Sequence, residues 1–110
     1  MGDRAIPRPQ SRLTAIRELL DNDEISAEIV RYLVNHTEAA DTARGIAEWW
    51  IGRDVGRTAE ALQRLQAHGV VRSHFVQEAA SVYAFTKNPI LRDTLTQYVR
   101  GQSTPSTAQR

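Results

Sequence analysis

Residues 46–65 read Ile46-Ala47-Glu48-Trp49-Trp50-Ile51-Gly52-Arg53-Asp54-Val55-Gly56-Arg57-Thr58-Ala59-Glu60-Ala61-Leu62-Gln63-Arg64-Leu65. The apolar positions Ile46, Ala47 and Trp50 fall on one face at helical spacing, and Gly52 ends that helix. Arg53 and Asp54 then open a second helix, with Asp54 as its cap. Val55, Ala59, Leu62 and Leu65 form its inner stripe, and Gly69 terminates it. The outer face of this helix is Arg57, Glu60, Gln63 and Arg64. A glycine turn between two short amphipathic helices is therefore the centre from which the rest of the chain is read.

Upstream, Asp41 or Thr42 supplies the cap of the first of these helices, and residues 37–40 connect it to what precedes. Gly45 inside the helix costs about 1 kcal/mol relative to alanine, which implies close approach of a neighbouring helix. Ile25, Ile29 and Leu33, with Val30 and Val34 beside them, mark another helix over 25–36 after the break Asp21-Asn22-Asp23. Before it, Ser11 can cap a short arm whose apolar face is Leu13, Ile16, Leu19 and Leu20. Trp49 and Trp50 are adjacent and point about 100° apart on a helix, so one seals the core and the other is partly exposed.

Downstream of Gly69 the period changes to two. Residues 70–76 and 82–86 are rich in β-branched and aromatic side chains and read as two strands joined over 77–81 in a hairpin. Asn88 and Pro89 supply a cap and a first-turn proline for a last helix over 90–100, with Leu91, Leu95, Tyr98 and Val99 inward and Gly101 as its stop.

Helix, short helix, helix and a two-stranded hairpin follow one another in an order that resembles the winged helix-turn-helix domains of bacterial transcriptional regulators. The resemblance is carried by Ile46-Ala47, the glycine turn at Gly52, Ala61-Leu62-Gln63-Arg64-Leu65, Gly69-Val70-Val71 opening the wing, and Tyr83-Ala84-Phe85-Thr86 returning from it. Two departures stand out. The stretch from Ile46 to Leu62 is about one residue longer than the commonest version, and Arg53-Asp54-Val55-Gly56-Arg57 replaces the usual serine and threonine cluster. The implied fold is mainly α with a small β-hairpin wing, a winged helix plus flanking N- and C-terminal helices. Residues 1–10 form a flexible arm, 11–100 the domain and 101–110 a disordered tail.

The resemblance implies a DNA-binding regulator with a recognition helix over about 54–68 in the major groove. By helical phase, Arg57, Glu60, Gln63 and Arg64 face base edges: arginine forks onto guanine, glutamine onto adenine, and glutamate accepts from cytosine. Arg57 in the first turn meets a base and Arg64 a phosphate. Arg53 and the backbone N–H groups near Gly56 suit a phosphate, as do Arg72 and His74 on the wing. The apolar stripes on the flanking helices, Leu13, Ile16 and Leu20 on one and Leu91, Leu95 and Tyr98 on the other, suit a homodimer on a palindromic site. The alternative is a winged-helix protein-interaction module, suggested by the weak net charge and the acidic wing tip at Glu78.

Composition narrows the remaining classes. The chain has 110 residues, no cysteine and a formal net charge of +1, which excludes thiolate metal sites and cysteine nucleophiles. Its charge is uneven: seven acids against Arg31 and Arg44 give −5 over residues 21–48, while the other segments are each positive. Thirteen of the fourteen basic residues are arginine, the side chain that forks onto phosphate and guanine. His36, His68 and His74 fall in separate elements, so no metal site is expected, and no nucleotide-binding or hydrolase motif is present. An enzyme, a cofactor and a membrane span are not expected. The cytoplasm is the expected compartment, with double-stranded DNA as partner.

Overall fold

The computed structural model describes residues 9–76 and 81–103. Its elements are α1 (Pro9–Asn22), α2 (Glu24–Asn35), β1 (Ala40–Thr42), α3, α4 (Val55–Ala67), β2 (Val71–Phe75), β3 (Ser81–Phe85) and α5 (Pro89–Ser103). α3 begins with Ala43–Gly45 and runs on without a break as π-helical turns over Ile46–Ile51. The protein is mainly helical, with one small antiparallel sheet in the order β1-β3-β2.

A single residue separates the first two helices. The Asp23 N–H still bonds the Leu19 carbonyl at 2.9 Å, while its side chain accepts from the Ile25 N–H and, at 2.6 Å, from the Ser26 hydroxyl. One carboxylate thus caps α2 in the residue after α1 ends. α1 itself starts at Pro9, so Ser11 lies in its first turn and is not its cap. α2 is the hub of the fold and packs against α1, α3, α4 and α5. Its inner residues Ile29, Val30 and Leu33 meet Ile46, Leu62, Leu65 and Phe85 in the core.

Part of the segment read as a connection is a strand. Ala40, Asp41 and Thr42 pair with Ala84, Tyr83 and Val82 of β3. Thr42 is also the α3 cap, its hydroxyl accepting from the Gly45 N–H at 3.1 Å. The close approach at Gly45 is to the Asp41 carboxylate, which a Cβ there would displace. At the other end of α3, Gly52 adopts a left-handed conformation (φ 64°) and caps onto the Ala47 carbonyl, as does the Arg53 N–H at 2.9 Å.

One face and one boundary differ from expectation. α4 buries Thr58, Ala61, Leu62 and Leu65, a stripe rotated from the apolar one because Thr58, and not Ala59, faces inward. The Thr58 hydroxyl is buried with no hydrogen-bond partner among the described residues. α5 continues to Ser103, so Gly101 lies within the helix and does not stop it. Of the arm expected over 1–10, residues 9 and 10 open α1, and of the tail expected over 101–110, residues 101–103 complete α5; residues 1–8, 77–80 and 104–110 lie outside the described residues.

The largest correction concerns the flanking helices. Ile16, Leu20, Leu91 and Leu95, expected to face a second copy, are at most 4% exposed and belong to the core of the single chain. Leu13 and Tyr98 pack against that core, and the Tyr98 hydroxyl donates to Asp21 at 2.6 Å. An amphipathic stripe records only that something covers it, and here α1 and α5 are covered by their own domain. A groove of about 390 Å³ remains between them, lined by Leu13, Ile16, Arg17, Leu95 and Tyr98 among others.

Candidate nucleic-acid interface

Asp54 caps α4, its carboxylate accepting from the Arg57 N–H at 2.9 Å. With about 3.6 residues per turn, the buried stripe fixes what faces away from it. The outward ridge consists of Gly56, Glu60, Gln63 and Ala67, all exposed. Gly56 keeps the first turn of that ridge bare, since a Cβ built there meets only the Asp54 side chain. Arg57 and Arg64 stand on the flank of the ridge. Arg57 is exposed and its side chain makes no hydrogen bond or ion pair among the described residues.

The other two arginines of this region are engaged. Arg64 donates from Nε and Nη2 to Oδ2 of Asp23, the latter at 2.7 Å, and so joins α4 to the cap of α2. Burial pushes the Asp23 carboxyl up, but hydrogen bonds from Ser26 and Arg64 and the Arg64 charge together hold it below the usual carboxylate range. Arg64, expected to meet a phosphate, is thus engaged within the protein, and this joint gives it a structural role. Arg53 donates from Nε to Glu28 at 2.9 Å and from Nη2 to Glu24 at 2.8 Å and to the second oxygen of Glu28. Those bonds raise its already high pKa further.

On the sheet, Arg72 and His74 are two residues apart on β2 and share the face turned away from Val71. Both are exposed. Arg72 also donates to the Phe85 carbonyl at 3.1 Å, which pins its guanidinium beside the strand end. Of the eight candidates, Gly56, Arg57, Glu60 and Gln63 therefore share an open surface of α4, Arg53 and Arg64 are tied to α2, and Arg72 and His74 lie on the sheet.

Sequence reasoning missed Arg92. It donates to the Thr86 carbonyl at 2.6 Å, pairs with Glu38 at 3.4 Å and lies 5.3 Å from the Phe85 ring centroid, fastening α5 to the sheet. A lone arginine near a helix start carries no local signal of such long-range contacts. The two tryptophans part as expected. Trp50 stacks on Tyr32 with centroids 4.4 Å apart, and Tyr32 stacks in turn on His36, whereas Trp49 is 79% exposed. Phe75 and Ile90 are likewise exposed.

No group of three or more His, Asp or Glu among the described residues can hold a metal ion. Among the same residues, no helix is long and apolar enough to cross a membrane. The chain matches no protein-family model and no curated protein.

Proposed function

We propose that this chain is a winged helix-turn-helix domain that binds double-stranded DNA as a transcriptional regulator, with α4 entering the major groove. The order of helix, short strand, helix, glycine turn, helix and two-stranded hairpin supports that reading. So do the π-helical turns over Ile46–Ile51, which give α3 a way to absorb the one-residue surplus in this segment. The observation that carries the proposal is the open ridge of α4. Gly56, Glu60 and Gln63 face solvent, and beside them Arg57 has no internal partner. Gln63 and Arg57 have the donor geometry for adenine and guanine edges. Arg72 and His74 on the wing supply phosphate contacts.

Selection from random duplexes followed by fluorescence anisotropy tests the proposal. Arg57→Ala should cost about 1–3 kcal/mol on the selected site and relax preference at one base pair, with the melting temperature unchanged. Equal affinity of parent and variant would remove α4 from the groove.

The active form is proposed to be a homodimer, held by surface other than the buried stripes of α1 and α5. Sedimentation at micromolar concentration giving only the 12.4 kDa species would refute it. A second reading, a winged-helix module that binds protein, is favoured by Trp49 and Ile90, which are 79% and 72% exposed. Recovery of a stoichiometric protein partner that Trp49→Ala releases, with no DNA retained at low salt, would decide for it.

A further inference from the structure

Arg53 lies in the turn between α3 and α4, immediately before the α4 cap and so beside the N-terminal end of the ridge proposed above to meet DNA. Its guanidinium is already forked onto a carboxylate. Nε and Nη2 hold the two oxygens of Glu28, and Nη2 also holds Glu24. The same planar fork fits carboxylate and phosphate alike. Neither glutamate has another partner among the described residues, and the Glu24 side chain is 74% exposed. The cluster of one cation and two anions carries a net charge of −1.

We propose that Glu24 and Glu28 act as an internal stand-in for a DNA phosphate at Arg53, so that DNA binding exchanges carboxylate for phosphate at this guanidinium. The inference rests on the DNA-binding reading of α4. Non-specific binding is almost wholly a matter of cations that neutralise phosphates. A cation occupied within the protein adds nothing to that encounter, while its two glutamates repel the backbone. The latch therefore lowers affinity for arbitrary duplex, and only a sequence that also engages Arg57 and Gln63 offsets the exchange. It is a device for discrimination between sites.

The test uses four full-length proteins: the parent, Glu24→Gln/Glu28→Gln, Arg53→Ala, and the triple variant. Each is titrated by anisotropy against a random-sequence duplex of about 20 base pairs between 50 and 200 mM salt. The double variant should bind on the order of tenfold more tightly near 0.1 M salt, with a slope of log K against log salt steeper by about 0.9. In the Arg53→Ala background the same two substitutions should give a clearly smaller gain, from relieved repulsion alone, without the added slope of a phosphate contact. A gain of equal size in that background would reduce the effect to bulk charge and overturn the latch, as would no gain at all. Failure of all four proteins to bind random or selected duplex overturns the DNA reading itself, and the latch with it. The unmodified protein provides a check that no folding defect can obscure. The Arg53 Nε–Hε resonance should move on addition of duplex, and a stationary resonance while α4 amides shift would refute the exchange.

Discussion

Two arginines join the α4 region to the start of α2 at nearly the same distance, Arg64 to Asp23 at 2.7 Å and Arg53 to Glu24 at 2.8 Å. They differ in what the acid does besides. Asp23 also caps α2 and accepts from Ser26, so its carboxylate is held from several sides and its partner is seated with it. Glu24 and Glu28 hold only Arg53, and although Glu28 is partly buried, the Glu24 side chain is 74% exposed. Contact distance therefore says little about how firmly a pair is fixed; the other duties of the carboxylate decide it. The first joint belongs to the fold and the second is exchangeable.

The largest effect that separates them is on stability. Asp23→Ala removes a cap and leaves Arg64 unpaired, and it should lower the unfolding free energy by about 2 kcal/mol in urea titrations. A loss no larger than that of Glu24→Ala would abolish the distinction. Arg64→Ala should cost about 1 kcal/mol, because the guanidinium is half exposed and its pair is partly screened. A double-mutant cycle should give a coupling energy for Asp23 with Arg64 that exceeds the one for Glu24 with Arg53.

Acid sharpens the same comparison. The Asp23 carboxyl titrates below its usual value of 3.8 in the folded protein, so the stability it confers is present above that value and drains away as pH falls through the lower folded one. Asp23→Asn should remove this slope from the acid limb of the stability profile, and Glu24→Gln should leave it in place. The joint of α5 to α1 behaves oppositely in base. Burial first, then the hydrogen bond to Asp21 and its charge, push the Tyr98 hydroxyl up to about 12 from 10. Stability conferred by this group is intact below pH 10 and lost as pH rises from 10 through about 12. Tyr98→Phe should flatten that limb, and the change in the 295 nm titration curve should centre near 12. The smallest effect belongs to Glu24→Ala, at most about 0.5 kcal/mol, since an exposed pair contributes little.

The four longer helices and the hairpin were legible in the sequence because each repeats its apolar pattern over several turns or alternations. β1 was not, because three residues give too little alternation to detect. The inward turn of Thr58 escaped because a threonine does not count towards an apolar stripe, and that rotated the predicted face of α4 by a fraction of a turn. Arg57, Glu60 and Gln63 were correctly expected on the outside. The engagement of Arg53 and Arg64 was invisible, since their partners lie 25 to 41 residues away in the chain. The stripes of α1 and α5 were read correctly as apolar, yet periodicity does not distinguish a cover in the same chain from one in another.

The stack of Trp50 on Tyr32 makes the protein's own fluorescence a local instrument. The chain has two tryptophans, Trp49 79% exposed and Trp50 partly buried, so a collisional quencher such as iodide should quench Trp49 more strongly than Trp50. The shielded component reports the seam between α2 and α3, since Trp50 and Tyr32 lie on opposite sides of it. Neither the sheet nor α5 carries a tryptophan. Melting followed by shielded emission therefore records when that seam opens, and circular dichroism records when the helices are lost. Agreement of the two midpoints would establish that the α2–α3 seam and the rest of the domain unfold as one cooperative unit.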